Sequence, residues 1–285
     1  MPDVWTVEKI LNWTVQHFSS NKIPDPRLSA ELLLAKVLNS SRINLYIQFE
    51  RILSIEERSQ FKQFVKRRIN REPVQFILGE TEFYGIPLKV NPNVLIPRPE
   101  TELLVDEVLT CSKSLNKKKI KIFDIGTGSG CISIALAKSL PESEIWANEK
   151  SQAALDVAKQ NAILNQVQIQ FIPGDIFKMY RNLPTQFDIV VSNPPYVAKY
   201  DDEKLAPEVK NFEPHEALFS GETGLEFYSN LVSIIPEILF EDGMAFIETG
   251  YNSAKPVEKL FRENSFHVRL KKDYNQINRI LIIKR

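Results

Sequence analysis

The sequence predicts an α/β protein in which a small all-helical domain precedes a mostly parallel sheet covered by helices on both faces. From Ile120 onward, short apolar runs of strand length alternate with longer segments of helical periodicity, which is typical of a doubly wound sheet. The first seventy or so residues show helical periodicity alone. A length of 285 residues suits one large and one small domain.

Residues 1–71 are predicted to form the helical domain because three segments each combine an apolar face with a start signal. Thr6 precedes the first segment as a helix cap, and Asp25 precedes the second. The third segment opens with Ser54 and Glu57, the spacing of a capping box. It ends in a basic run, Lys66 to Arg71, which we interpret as a solvated last turn that complements the helix dipole.

Residues 72–99 differ in composition, with Pro, Gly, aromatic residues and alternation of apolar and polar positions. We predict that they form a β-hairpin that links the two domains. Residues 100–285 then form the sheet domain. Its last two strands, "FHVRLKKD" and "RILIIKR", are predicted to pair in antiparallel fashion at the end of the chain.

The stretch "FDIGTGSG" is a strand followed by a glycine-rich turn into a helix. Glycines in such a turn permit a positive φ and let a ligand approach the backbone closely. The spacing is G-x-G-x-G, whereas a dinucleotide fingerprint has G-x-G-x-x-G around a pyrophosphate. The predicted binding residues of this loop are Gly126, Thr127, Gly128, Ser129 and Gly130.

Two carboxylates are predicted to lie beside this loop, because they end the next two strands at the same edge of the sheet. Glu149 occupies the position of an acidic residue that binds ribose hydroxyls, and Asp175 with Ile176 is placed to flank an adenine. Each carboxylate alone is commonly a helix cap, but the combination indicates a ligand with an adenosine moiety and no pyrophosphate. S-adenosylmethionine fits that description.

"VVSNPPYV" places a Pro-Pro pair directly after a buried strand, and Pro cannot continue a sheet ladder. We therefore expect Asn193, Pro194, Pro195 and Tyr196 to face the crevice where the strand order reverses. The Asn193 side-chain oxygen and the Pro194 carbonyl can accept the two N–H bonds of a planar amide or amine, and Tyr196 offers it a flat face. Such positioning aims a nitrogen lone pair at a methyl donor without a metal.

Further motifs resemble one family. "FDIGTGSG" with "VSNPPY" resembles the class I amino-methyltransferases, and "LIPRPETE" with "FEPHEALFSGETGLEFY" resembles the release-factor glutamine methyltransferases, the PrmC/HemK family. The resemblance runs from about Arg71 to the C-terminus, and the helical domain also suits it. It implies N5-methylation of the glutamine in the Gly-Gly-Gln motif of class I peptide-chain release factors, with S-adenosylhomocysteine as product.

The resemblance also implies a role for each matching residue. Gly126 to Gly130 would hold the methionine portion of the cofactor and Glu149 the ribose, where the family usually has Asp. Asp175 and Ile176 would flank the adenine, and Asn193 to Tyr196 would take the glutamine amide. Arg98 and Glu100 of "IPRPET" would either order the loop over the cofactor or pair with each other.

The composition limits which partners and which cellular compartment are expected. Lys+Arg and Asp+Glu are both 36, so a nucleic-acid substrate loses support, because such proteins usually carry a basic excess. Two cysteines make no disulfide framework, the three histidines are scattered, and no apolar run reaches membrane-spanning length. We expect a cytoplasmic enzyme without a metal, without a membrane contact and without a direct nucleic-acid substrate.

Two alternatives remain from the sequence. The same pocket would serve an enzyme that methylates exocyclic amines of nucleic-acid bases, since "NPPY" also suits a flipped base. The other is a non-catalytic adenosyl-binding module that docks on translation factors. A degraded "NPPY" segment would favour it, and here that segment is intact.

Overall fold

The computed structural model describes residues 4–115, 117 and 119–285. Residues 1–3 of the predicted helical domain therefore lie outside the described residues. The chain divides into two compact units. The helical unit is Met1–Gly79 with Ala206–Phe212, and the sheet unit is Glu80–Leu205 with Glu213–Arg285.

The elements follow one another as helices first and then as an alternation of strands and helices. The helices are α1 (Val7–Ser20), α2 (Pro26–Val37), α3 (Arg42–Ile47), α4 (Ile55–Ile69), α5 (Val74–Leu78), α6 (Pro99–Ser112), α7 (Cys131–Ser139), α8 (Gln152–Leu164), α9 (Ile176–Met179), α10 (Pro207–Phe212), α11 (His215–Leu218), α12 (Glu226–Ile238) and α13 (Ala254–Glu263). The strands are β1 (Glu80–Phe83), β2 (Ile86–Lys89), β3 (Lys121–Ile125), β4 (Glu144–Glu149), β5 (Gln170–Pro173), β6 (Phe187–Ser192), β7 (Leu239–Glu248), β8 (His267–Lys272) and β9 (Asn278–Lys284).

The helix starts of the helical unit follow the capping signals with one exception. Thr6 accepts from the Lys9 N–H at 3.2 Å, and Ser54 with Glu57 forms the predicted capping box. Asp25 stands at the N-cap of α2, yet its side chain makes no capping hydrogen bond. Its backbone is left-handed, with φ 47°, whereas side-chain capping needs an extended residue.

The basic end of α4 is less exposed than predicted. Arg68 is only 4% exposed, and its guanidinium donates to Glu208 Oε1 and to the Glu72 carbonyl, both at 3.2 Å. Burial lowers the pKa of Arg68, and the negative charge of Glu208 opposes that shift. The prediction of a solvated turn is wrong for Arg68, because its partner lies in α10, far along the chain.

The core of the helical unit is formed by apolar side chains that α1, α2 and α4 turn toward one another. They include Leu11, Phe18, Leu33, Leu34 and Phe61, all 2% exposed or less. The periodicity seen in the sequence therefore corresponds to one packed core.

In the described part of the sheet unit, seven strands form one sheet in the order β5-β4-β3-β6-β7-β9-β8. The first five of these strands pair in parallel, and β9 pairs antiparallel with both β7 and β8. The strand order reverses between β3 and β6, so a crevice opens beyond their carboxyl ends. Both the Rossmann-like sheet and the terminal antiparallel pair are confirmed.

Separate apolar cores cover the two faces of this sheet. One holds Tyr228 and Ile235 of α12 with Phe261 of α13. The other holds Leu104 of α6 and Ile134 of α7, together with apolar residues of the β1–β2 hairpin. Both faces of the sheet are therefore covered, as expected for a mostly parallel sheet.

The predicted hairpin segment contains more than a hairpin. It starts with the five-residue helix α5, which Gly79 ends in a left-handed conformation, φ 75°. β1 and β2 then pair around Tyr84 and Gly85, both with positive φ, as a tight two-residue turn requires. A helix of one turn has too few residues for its periodicity to be recognised.

Candidate active site

The glycine-rich loop follows β3 and bends back over the end of β4. Gly126 and Gly128 have φ values of 72° and 57°, which side chains rarely adopt, and a Cβ on either would meet nothing within 4 Å. The N–H groups of Gly126 and Thr127 donate to the Asn148 carbonyl of β4 at 3.0 and 2.9 Å. These two glycines therefore allow the backbone to form the turn, and they leave open space beside it.

Gly130 has a different function in the loop. Its φ is 83°, and a Cβ there would lie 3.1 Å from Ile134 Cδ1 and 3.3 Å from Ala158 Cβ. Gly130 thus lets α7 start close against α8, and it is not among the residues that line the cavity described below. Its predicted contact with a ligand has no support from this geometry.

Asp124 holds the loop from inside the sheet. It is fully buried, and its Oδ2 accepts from the Thr127 hydroxyl at 2.7 Å and from the Ser133 hydroxyl at 2.5 Å. Burial raises the pKa of Asp124 to about 6, and the two hydroxyls oppose the shift. The bond to Thr127 fixes the loop and the bond to Ser133 fixes the first turn of α7.

Glu149 ends β4 beside the loop. Its Oε2 accepts from the Gly128 N–H and its Oε1 from the Ser151 N–H, both at 2.9 Å. A carboxylate has about four acceptor positions, so two backbone bonds leave capacity for the hydroxyls of a ligand. Glu149 therefore both shapes the glycine loop and offers acceptors beside it.

Asp175 lies beyond the end of the next strand, β5. It caps the short helix α9, since its Oδ1 accepts from the Phe177 N–H at 3.1 Å. The following Ile176 is 3% exposed. A carboxylate next to an apolar side chain suits a planar heterocycle that carries an amino group.

Asn193 follows β6, on the other side of β3. Its Nδ2 donates to the Thr101 hydroxyl of α6 at 3.0 Å, so Oδ1 is the side-chain atom left to accept from a ligand. Just before it, the Ser192 hydroxyl donates to the Ile125 carbonyl at 2.8 Å, which joins the ends of β6 and β3. Pro194 is buried and Pro195 half-buried. The segment is thereby held rigidly at the strand ends.

The Tyr196 ring packs beyond the end of β7 and does not line the cavity. Its ring lies so close to Gly250 that a Cβ there would be 2.8 Å from Tyr196 Cδ2. Burial raises the pKa of its phenol to about 12, and the neighbouring charge of Glu248 adds to the shift. Like Gly130, Tyr196 is not among the cavity-lining residues.

A cavity of about 660 Å³ lies at this edge of the sheet. It is large enough for a nucleoside-sized ligand with an amino-acid side arm. The structure brings together on its wall the other predicted site residues, namely Gly126, Thr127, Gly128, Ser129, Glu149, Asp175, Ile176, Asn193, Pro194 and Pro195.

Sequence reasoning did not identify the remaining walls. They come from Pro92–Leu95 after the hairpin, from Pro214–Ala217 around α11, and from Phe227 and Asn230 of α12. Arg98 also lines the cavity, where its Nη2 forms an ion pair with Glu213 Oε1 at 2.6 Å.

Arg98 thus joins two of these wall segments. Pairing with Glu100 is one of the two alternatives that the sequence offers for Arg98, and its ion-pair partner is instead Glu213. Burial raises the pKa of Glu213, although Arg98 opposes the shift. The motifs "IPRPET" and "FEPHEALFSG" contained these residues, but their contact depends on the tertiary fold.

The donor set fits S-adenosylmethionine. One cavity is lined by the open glycine backbone, by the carboxylates Glu149 and Asp175 and by the apolar side chain of Ile176. Asn193 lies on the same wall and presents an oxygen acceptor. This combination can bind an adenosyl ligand and orient a nitrogen nucleophile beside it.

Comparison with known proteins agrees with this interpretation. A family described as the PrmC N-terminal domain matches residues 9–79, and one described as the methyltransferase small domain matches residues 100–210. A protein of Geobacter sulfurreducens named release factor glutamine methyltransferase is 38% identical over 93% of this chain and 91% of its own length. The chain belongs to the release factor glutamine methyltransferase family.

A second member of the release factor glutamine methyltransferase family, from Chlorobaculum tepidum, is 38% identical over 98% of both chains. Among solved structures, the catalytic domain of hMettl16 in complex with the MAT2A 3'UTR hairpin 6 has a TM-score of 0.56. It is 18% identical over 75% of this chain and 83% of that chain, so the likeness concerns the fold alone.

The described residues of this family member contain neither a membrane-spanning helix nor a metal-binding cluster. No helix among them has both the length and the apolar character needed to cross a bilayer. The same part of the chain contains no cluster of three or more His, Cys, Asp or Glu side chains arranged to hold a metal ion.

Proposed function

We propose that this enzyme methylates the side-chain amide nitrogen (N5) of the glutamine in the Gly-Gly-Gln motif of class I peptide-chain release factors. The proposal rests on how the Asn193 side-chain amide is oriented in this family member. Its Nδ2 is bonded to Thr101, so an oxygen acceptor remains at the edge where Glu149 and Asp175 also lie.

Bound S-adenosylmethionine supplies the methyl group and leaves as S-adenosylhomocysteine. Gly126 to Ser129 provide the open backbone against which its methionine portion would lie. Glu149 would accept from the ribose hydroxyls, and Asp175 would accept from the adenine amino group over the apolar surface of Ile176. Glu149 also accepts from the Gly128 and Ser151 N–H groups, and these two bonds leave acceptor positions for the ribose.

The glutamine amide is a poor nucleophile because its lone pair is conjugated with the carbonyl group. Two acceptors, Asn193 Oδ1 and the Pro194 carbonyl, would hold its two N–H bonds and aim the nitrogen into the cavity. Holding a reactant in this way lowers the barrier by several kcal/mol. After methyl transfer the nitrogen is acidic, and it loses a proton to water, so this chain needs no strong base.

For Tyr196 the predicted stacking on the glutamine stays a prediction. The ring packs on Gly250 and its phenol has a pKa of about 12, so the hydroxyl remains protonated at neutral pH. Those contacts support a role in holding the "NPPY" backbone in place. Direct contact with substrate would require the Tyr196 ring to turn toward the cavity.

We place the reaction in translation termination, in the cytoplasm, with a protein substrate. A zero net charge supports a protein partner over a nucleic acid, which a basic surface would favour. The methyl acceptor would need no metal in this scheme, because positioning alone prepares the amide. Addition of a chelator should therefore leave the transfer rate unchanged.

The test is incubation of the purified enzyme with a release factor and isotope-labelled S-adenosylmethionine, followed by mass mapping of the modified residue. We expect one methyl group on the glutamine of the Gly-Gly-Gln motif and none on a factor whose glutamine is replaced by Glu. A parallel reaction contains DNA and RNA. Label on nucleic acid but not on the factor would refute the proposal in favour of base methylation.

A further inference from the structure

A buried acid, Glu248, lies beside Asn193 and has no role in the proposed methyl transfer. Glu248 ends β7, which pairs in parallel with β6 so that Ile247 stands opposite Ser192. The two residues that follow these partners, Glu248 and Asn193, therefore lie at the same level of the sheet edge. Glu248 is 3% exposed, and its Oε2 is buried without a hydrogen-bond partner among the described residues.

Thr101, in the first turn of α6, connects the two. It is 1% exposed, and its hydroxyl oxygen accepts from Asn193 Nδ2 at 3.0 Å. Thr101 also lies close enough to Glu248 for its hydroxyl to lower the pKa of that carboxyl. A hydroxyl has one hydrogen to donate and can accept as well. The direction in which Thr101 donates therefore determines which atom of the Asn193 amide it binds.

We propose that Glu248 is a positioning residue that acts through Thr101 to orient the Asn193 amide. As a carboxylate, Glu248 can only accept, so it takes the single Thr101 hydrogen. The Thr101 oxygen then accepts from Asn193 Nδ2, and Asn193 Oδ1 faces the cavity as an acceptor. The inference rests on the proposed function, in which Asn193 Oδ1 accepts from the substrate amide.

Protonation of Glu248 would release this constraint. A neutral carboxyl can donate to the Thr101 oxygen, and the Thr101 hydrogen is then free to bind Asn193 Oδ1. In that state the amide of Asn193 turns over and presents Nδ2 to the cavity. An N–H group meeting the N–H of a glutamine amide cannot bind it, so the turned state is inactive.

The surroundings of Glu248 place this change near neutral pH. Burial raises the pKa of Glu248 to about 7, while the hydrogen bond from Thr101 opposes the shift. The other charged or titratable groups that face it come from the start of α6, from α7, from α12, from the "NPPY" segment and from β9, namely Arg98, Glu100, Cys131, Tyr228, Tyr196 and Arg279. Arg279 and Arg98 favour the carboxylate, and Glu100 disfavours it.

The rate constant kcat should increase with pH as Glu248 ionises. Above pH 7 the carboxylate form dominates and Asn193 is held in the accepting orientation. As the pH falls through about 7, Glu248 takes up a proton and the fraction of correctly oriented enzyme decreases. The rate constant kcat should therefore fall toward acid pH.

The kinetic test uses matched pairs at each position. Thr101→Val removes the hydroxyl at nearly constant shape and should lower kcat about tenfold, with KM and cofactor Kd little changed. Thr101→Ser restores the hydroxyl and should restore kcat. Glu248→Gln should lower kcat to a level independent of pH, whereas Glu248→Asp should keep a pH-dependent kcat. Circular dichroism and cofactor binding establish that each variant is folded.

A second readout does not depend on methyl transfer. The side-chain ¹⁵N amide resonances of Asn193 should shift with a midpoint near pH 7 in the unmodified enzyme and should not titrate in Glu248→Gln. An Asn193 amide that does not titrate, or that titrates equally in Glu248→Gln, would overturn the proposal. So would equal kcat in Thr101→Val and Thr101→Ser.

These two readouts separate this inference from the proposed function. If the unmodified enzyme transfers no methyl group to a release factor at any pH, the proposed function fails. The Asn193 resonances would still report whether Glu248 orients the amide.

Discussion

Three acidic residues behind the cavity wall, Asp124, Glu213 and Glu248, are almost completely buried and have pKa values raised by that burial. Each also has one carboxyl oxygen buried without a hydrogen-bond partner among the described residues. Burial of such a group costs stability, and acids with strongly raised pKa values are found mostly at functional sites. Their place around the glycine loop, the Arg98 contact and Asn193 indicates that the purpose is to hold the site.

Glu248→Gln tests that cost directly. Glu248 has its ordinary pKa of 4.5 in the unfolded chain and a pKa of about 7 in the folded chain. The folded state therefore keeps the Glu248 proton to higher pH. The free energy of unfolding is therefore lowered by ionisation as the pH rises from about 4.5 to 7. We expect the variant to gain stability over the unmodified protein across this range, approaching about 3 kcal/mol. Urea unfolding of both proteins at pH 5 and 8 measures the difference, and a constant offset would contradict the assignment.

Asn193→Ala tests the substrate acceptor. Loss of a contact made during the chemical step typically costs on the order of 2–4 kcal/mol, so kcat/KM should fall steeply while cofactor affinity stays within a few-fold. Asn275→Ala, an exposed asparagine in the turn between β8 and β9, is the control. If Asn193→Ala methylates at nearly the unmodified rate, the acceptor has been placed wrongly.

At the scale of elements, the alternation of strand-length apolar runs with helical segments predicted the parallel sheet. Strands covered by helices on both faces are recognisable in a sequence as such short runs. Glu149, Asp175 and Asn193 could be predicted as neighbours since parallel strands end at one edge. Glu248 ends a strand at the same edge, and the same rule could have identified it. Thr101 could not be found, because its contact with Asn193 depends on how α6 packs.

The two kinds of glycine in the loop give a prediction about elements. Gly128→Ala and Gly130→Ala share the strain of a positive φ, about 1–2 kcal/mol, but only the second adds a Cβ against α7 and α8. Gly130→Ala should therefore be the less stable variant in denaturant unfolding. Gly128→Ala should instead weaken cofactor binding more than it weakens the fold. The opposite ranking in either measurement would contradict the distinction.

At the scale of the whole molecule, the sequence suggests that the helical domain recognises the release factor, and this stays a prediction. A small flexible Gly-Gly-Gln loop costs entropy to order, and contacts elsewhere can offset it. In the helical unit, Ile43 and Ile47 stand one turn apart on α3, and 74% and 75% of their surface is exposed. Solvent-exposed apolar side chains at this spacing suit a contact with a protein partner.

We therefore expect the combined change Ile43→Ala and Ile47→Ala to lower kcat/KM for an intact release factor by about tenfold. The same enzyme should act normally on a short Gly-Gly-Gln peptide. Ile163→Ala, an isoleucine of the sheet unit with 78% exposure, is the matched control and should change neither value. Equal slowing of peptide and factor, or no slowing, would remove the recognition role.

The helical unit is discontinuous in sequence, and this has a consequence for how the protein is made. Arg68 is synthesised long before Glu208, the partner of its buried guanidinium. A nascent chain that ends before α10 has the first five helices but lacks the acid that offsets this desolvated charge. On the ribosome, the N-terminal helices should thus remain loosely folded until most of the sheet has been translated. Expression of residues 1–79 alone would yield the same unfinished state permanently.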